Sequence, residues 1–197
     1  MKNNKLEQLI EMYGMAITTA GKNSAYDEVQ KKLDELGREV GLLDHDYVER
    51  EILSYIKDNL VTKSWKNAQH WIGAALIHPS SRYLDYFLMV LSEEDPNAPH
   101  YWVLDVIQYM PENISNLALP ALKKLSEQIN SSWSAAVIEK YFETVVWNDE
   151  NAEDFISTLV TSNNELVALR AKYWMETFEV ERKEEEEEDL VGNETDD

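Results

Sequence analysis

Four histidines, His45, His70, His78 and His100, have the chemistry for metal binding or proton transfer. Asp44-His45-Asp46 strings three potential ligands together. Neighbours at a helix start point in different directions, so one ion could not use all three. A helix cap from Asp44 or Asp46 accounts for the triplet. His70 and His78 are eight residues apart and lack the i, i+4 spacing that sets two imidazoles on one helical face. His78 and His100 stand beside prolines at expected hairpin ends, where any polar residue would serve. No metal or cofactor is expected.

Carboxylates are so numerous that none stands out as catalytic. General acid–base work needs one carboxyl group desolvated beside another, and spacing alone singles out no such pair. The sequence has no glycine-rich phosphate loop, no strand-turn-helix context and no nucleophile elbow. The serines of "SSWSAA" sit where a helix should begin and read as caps. The chain is expected to be a binding protein and no enzyme.

Charge narrows the choice of partner. The sequence carries 38 acidic against 18 basic residues, a formal net charge of −20. Residues 181–197, "ERKEEEEEDLVGNETDD", hold ten acids and two bases, a net of −8, which leaves −12 on the body. Phosphate backbones need clustered Lys and Arg, so direct nucleic-acid binding is not expected. A basic protein would be drawn in by long-range attraction. The longest apolar stretches resemble "WIGAALI" (Trp71–Ile77), too short to span a bilayer, and Glu7 and Glu11 fall where a signal peptide needs apolar residues. The chain reads as cytoplasmic. It contains no cysteine, which excludes disulfides and thiolate ligands.

These side chains are carried by helices. The apolar residues Leu6, Leu9, Ile10, Tyr13 and Ile17 recur at helical spacing, as do Val29, Leu33, Leu36 and Val40. Ser24 and Asp27 suit a helix start, and Gly41 suits a left-handed helix end. A third stripe runs Val48, Ile52, Ile56 and Leu60, and a fourth helix is expected over 64–77, stopped by Pro79. Further helices are expected near 81–92, 99–110, 116–129, 132–147, 152–161 and 165–179. The breaks at Pro79, Pro111 and "WNDEN" divide this second part into pairs of about 32 to 36 residues. Leu91, Leu125 and Leu159 follow one another at intervals of 34, and "KYFET" (Lys140–Thr144) is echoed by "KYWMET" (Lys172–Thr177). Periods of this length mark helical hairpins that bury their apolar faces only by stacking. The acidic run from 181 to 197 buries nothing and is expected as a disordered tail, its first turns able to extend the last helix.

Residues 78–180 resemble HEAT or armadillo-type repeats, most plainly at "NNELVALRAKYWMETF" (Asn163–Phe178), where Arg170 sits inside an apolar stripe. Pro120 matches the proline usual in a repeat's first helix, while the recurring Asp–Arg pair is missing. The resemblance implies an all-α solenoid of about five antiparallel helix hairpins over residues 1–180, curved, binding proteins or peptides. A looser similarity, in size, charge and helicity, connects the chain to acidic immunity proteins of bacterial toxins that use HEAT-like repeats.

In such stacks the second helices line the inner face. With Val103, Ile107 and Met110 buried, Tyr101, Asp105, Gln108 and Tyr109 lie toward the opposite side. Glu139, Glu143 and Glu176 follow one and two repeats later. Tyr101, Asp105, Tyr109, Glu139, Glu143 and Glu176 are therefore the candidate partner-binding residues. Aromatics beside carboxylates suit a basic protein, through apolar contact and charge steering. The reading is a non-catalytic module that captures a basic protein, most concretely an inhibitor of a bacterial toxin. The alternatives are an adaptor or scaffold in a larger assembly, a nucleic-acid mimic, and an enzyme.

Overall fold

Every apolar stripe at helical spacing becomes a helix. A computed structural model of the protein describes residues 4–23, 26–129 and 132–192, with side chains excepted at 17–23, 26, 128 and 185–192. Among the described residues there are ten α-helices, two 3-10 turns and no strand. They are α1 (Lys5–Asn23), α2 (Tyr26–Gly41), α3 (His45–Thr62), α4 (Ala68–Ile77), α5 (Leu84–Leu91), α6 (His100–Tyr109), α7 (Glu112–Leu125), α8 (Ala135–Asn148), α9 (Ala152–Leu159) and α10 (Glu165–Gly192). The 3-10 turns, Ser81–Tyr83 and Ser126–Gln128, lead into α5 and out of α7.

Neighbours follow a rule. Each even-numbered helix from α2 to α8 packs against the next even-numbered helix, while α3 packs against α5 and α5 against α7. Consecutive helices also touch within the pairs α1 and α2, α3 and α4, α5 and α6, α7 and α8, and α9 and α10. Leu91, Leu125 and Leu159 occupy the last positions of α5, α7 and α9. Leu91 and Leu125 are buried and Leu159 is half-buried. The core between the rows is built from fully buried Phe87, Leu104, Ile107, Tyr141, Phe142 and Ile156. Tyr141 also donates its hydroxyl to the Leu122 carbonyl (2.9 Å), one of the last four of α7, which have no partner within their own helix.

Caps set the helix starts. Asp44 caps α3 by accepting from the Tyr47 N–H (2.9 Å), and Ser134 caps α8 by accepting from the Val137 N–H (3.3 Å). Ser24 lies outside the described residues. At the other end of α2 the left-handed turn expected at Gly41 is absent, since no described glycine has positive φ. Lys63 (φ 55°) and Asn67 (φ 57°) adopt that conformation instead. Lys63 closes α3, its N–H reaching the Asn59 carbonyl (2.8 Å). Asn67 delays the start of α4 to Ala68, four residues later than the stripe suggested, because a left-handed residue cannot sit inside a right-handed helix. Conversely, α7 begins four residues early, directly after Pro111, whose fixed φ and missing N–H suit a helix start.

α10 continues to Gly192, so the first turns of the acidic run extend the last helix, as its sequence allowed. Glutamate is a good helix former, and a helix already nucleated by packing needs only propagation. Residues 193–197 lie outside the described residues.

His78 and His100 are not interchangeable polar residues at hairpin ends. Both are buried, and each ring donates from Nε2 to a backbone carbonyl, His78 to Val40 and His100 to Glu93, at 3.0 Å each. Burial pushes the His100 pKa below the ordinary value of 6.5, against the opposing pull of Glu93, Asp95 and the Val90 backbone. Burial alone does the same to His70. A neutral ring favoured by folding means that the unfolded chain binds more protons as the pH falls through 6.5. This contribution is complete above that value and is lost on acidification toward the folded pKa. NMR titration of the four imidazoles should place the His70 and His100 midpoints below 6.5. Midpoints at or above 6.5 would refute the burial argument.

Candidate functional site

Three adjacent helices, α6, α8 and α10, carry all six candidate residues. On α6, Tyr101, Asp105 and Tyr109 recur every four residues, so one face presents ring, carboxylate and ring. Tyr101 and Tyr109 are exposed and Asp105 is half-buried. Glu139 and Glu143 hold the same spacing on α8. Between the two helices lies Lys140, a residue the sequence reading did not assign.

Lys140 is 5% exposed, and its ammonium is surrounded. Nζ lies 2.8 Å from Asp105 Oδ1 and 3.2 Å from Glu143 Oε2. It donates to Gln108 Oε1 at 3.1 Å. The Tyr101 and Tyr109 ring centroids stand 5.3 and 5.7 Å away, within cation–π reach. Burial works against the charged lysine. The hydrogen bonds and charges of Asp105 and Glu143 outweigh it, so the pKa rises above its ordinary value. Two rings, two carboxylates and an amide thus enclose one ammonium, and four of the six candidate residues belong to that enclosure.

The fifth, Glu139, pairs with Arg170 of α10, 2.5 Å from Nε, and the guanidinium lies 5.1 Å from the Tyr173 ring centroid. Burial raises the Glu139 carboxyl pKa, Arg170 opposes this and Glu143 adds to it. The sixth, Glu176, stands exposed farther along α10, and among the described residues no contact joins it to the other five. The ridge is therefore less free a charge surface than its acids suggested, because Lys140 and Arg170 neutralise much of it from within.

Around the enclosure the face is aromatic. Tyr109 meets Trp147 edge to face, with centroids 5.7 Å apart, and Trp147 is 65% exposed. Trp71 and Trp133 are buried and Trp102 and Trp174 half-buried, whereas Trp147 stands exposed in the last turn of α8. Gln108 was placed on the outer side with the tyrosines but is buried against Lys140.

Asp105 borders a second feature, an apolar groove of about 340 Å³ between α2, α4 and α6. Leu33, Val40, Ile77 and Trp102 contribute to its walls. Gly73, in mid α4, opens it further, since a Cβ added there would meet nothing within 4 Å. The groove accepts apolar side chains and its Asp105 edge a cation. Periodicity could not reveal it, because it depends on how far apart three helices pack.

Among the described residues no group of three or more potential ligands could hold a metal ion, and no helix is long and apolar enough to cross a membrane. No family model, curated protein or solved structure matches the chain.

Proposed function

We propose that the chain is a non-catalytic protein-binding module that captures a basic protein on the face formed by its even-numbered helices. Each pair of consecutive helices forms one antiparallel hairpin, and the hairpins stack as a HEAT-like solenoid with α2, α4, α6, α8 and α10 on its inner side. The succession of even-to-even and odd-to-odd contacts supports this arrangement, as do the three leucines that end α5, α7 and α9 at intervals of 34. The most concrete version is a cytoplasmic immunity or inhibitor protein that masks a bacterial toxin.

One observation carries the recognition reading: Tyr101, Asp105, Tyr109 and Glu143 already enclose an ammonium group. The exposed rims of that enclosure, the Tyr109–Trp147 pair and the neighbouring groove present aromatic and apolar surface under a net negative field. That combination favours lysine or arginine side chains borne on an apolar segment.

Affinity capture from the native cell, with partners identified by mass spectrometry, should return a basic protein. Its association rate should fall steeply as salt rises, since the attraction acts over a Debye length of about 8 Å at physiological ionic strength. Trp147→Ala combined with Glu176→Lys changes only exposed side chains and should weaken binding at least tenfold, about 1.4 kcal/mol, with the melting curve unchanged. For the toxin version, co-expression should rescue cells from the captured partner and the double variant should rescue poorly. A neutral or acidic partner, or a double variant that binds as tightly as the native chain, would overturn the proposal.

A further inference from the structure

The apolar groove between α2, α4 and α6 has a floor that no described side chain fills. Gly73 stands in the middle of α4. Glycine weakens a helix interior relative to alanine and is of use there where the backbone must turn or be closely approached. No turn requires it, since no described glycine has positive φ. No neighbour requires it either, because a Cβ at Gly73 would meet nothing among the described residues within 4 Å. Across the groove the helices do meet: a Cβ at Gly41 would touch Ile77 at 3.6 Å and one at Gly37 would touch it at 3.9 Å, both ordinary packing distances. α2 and α4 thus close together at Ile77 and part at Gly73, where the α4 backbone lies open to close approach from outside.

We infer, resting on the capture of a basic protein proposed above, that the partner enters this groove as an amphipathic α-helix, its apolar face against Gly73 and Trp102 and a lysine or arginine on its flank at Asp105. Length and hydrogen bonding narrow the occupant. The groove follows α4 from Gln69 to Ile77, eight rises of 1.5 Å or about 12 Å, which is two turns of a helix. An extended segment would bring unpaired backbone N–H and C=O groups between apolar walls, where only Gln69, His70 and Asp105 have polar side chains to meet them. The walls are all helix, so they offer no strand edge to pair with it. A helix satisfies its backbone internally and presents apolar side chains at three- and four-residue intervals.

Charge narrows the occupant further. Asp105 is the one charged residue in the described lining, since burial lowers the His70 pKa and keeps that ring neutral at pH 7. Its Oδ1 meets Lys140, yet the enclosure stays one charge negative: Asp105 and Glu143 bring two, and Lys140 returns one. Glu139 and Arg170 cancel each other. The Asp105 side chain is 27% exposed, and Oδ2 has no partner among the described residues, so it can receive a second cation. A purely apolar helix would strip water from Oδ2 and leave it unpaired. A second copy of this chain, at −20, is repelled from the same place.

A stapled helical peptide of about 18 residues, with leucines at three- and four-residue intervals along one face and lysines on both flanks, serves as the probe. By fluorescence anisotropy the full chain should bind it at least tenfold more tightly than two controls, the same helix with glutamates for lysines and the same helix with alanines for leucines. The alanine control keeps the positive charge, so equal binding of it would show general attraction to an acidic protein and overturn the inference. Gly73→Leu fills the groove without changing charge. It should weaken peptide binding at least tenfold with a melting temperature at or above the native one, since leucine favours helix over glycine. NMR of the native chain needs no variant: the Gly73 amide and Trp102 indole signals should shift with the peptide, and the indole of buried Trp133 should not. Peptide binding unchanged by Gly73→Leu, or shifts that spare Gly73 and Trp102, would sink the inference. So would decanol moving those signals where the peptide does not, the result for a small apolar ligand.

Capture from the native cell separates this inference from the reading beneath it. Gly73→Leu should lose the basic partner, as Trp147→Ala with Glu176→Lys does. A partner kept by Gly73→Leu but weakened by that double variant would leave capture standing and sink the groove as its seat. A native chain that captures no basic protein would sink the earlier reading, whereas the peptide measurements still decide what the groove accepts.

Discussion

Asp105→Lys should destabilise the protein by about 2–4 kcal/mol, the cost of breaking a largely buried ion pair and setting a second cation beside the first. Lys140 cannot move its ammonium to water without uncovering its stem, since the side chain is only 6% exposed between α6 and α8. Asp105 is 27% exposed, which keeps the expected loss below that of a fully buried pair. Asp105→Asn retains an acceptor and should cost less, about 1–2 kcal/mol. Urea unfolding measures both, and an Asp105→Lys midpoint equal to the native one would show that Lys140 is solvated. The lysine's pKa is raised, so its contribution is fully present below the ordinary value of 10.5 and is lost only as the pH rises through the higher folded value. The loss on mutation should therefore be the same at pH 6 and pH 8. Charge reversal at Asp105 or Glu143 would confound recognition with folding, whereas Glu176→Lys should leave stability within about 0.5 kcal/mol.

Replacing the three leucines that end α5, α7 and α9 should give a graded series. Leu91→Ala and Leu125→Ala remove side chains that are 1% and 7% exposed, and each should cost roughly 2–5 kcal/mol in lost transfer energy and cavity. Leu159 is half-buried in the last short helix, so Leu159→Ala should cost about 1–2 kcal/mol. The order is the informative part. Leu159 lies half-buried beside Ile129, Trp133 and Ile138 at the rim of an open cleft, whereas Leu91 and Leu125 are buried at the ends of α5 and α7. Thermal melts resolve the series, because each kcal/mol shifts Tm by about 2–4 °C in a chain of this size. Equal losses at all three positions would show that α9 is as enclosed as α5 and α7.

What the sequence by itself determined is the helical character, most helix boundaries and the position of the candidate face. Apolar residues at intervals of three and four leave a chain with few glycines and prolines little choice but helix, and that information is local. The same periodicity put Tyr101, Asp105 and Tyr109 on the outer side of α6 and closed α5, α7 and α9 with leucines 34 residues apart. Boundaries failed at Asn67 and Pro111, where a single backbone torsion moved a helix start by four residues.

Only the tertiary structure decided which charges remain free. A count of acids along α6 and α8 gives a ridge, but Lys140 enters it from α8 because its long apolar stem packs while its ammonium reaches two carboxylates on different helices. The echo between "KYFET" and "KYWMET" marked Lys140 as a repeated position without showing where it points. The apolar groove beside Gly73 likewise depends on which helices become neighbours. Side-chain spacing fixes the faces of a helix. What each face meets is fixed by packing between elements far apart in the chain, and a pattern of period 3.6 contains no term for that distance.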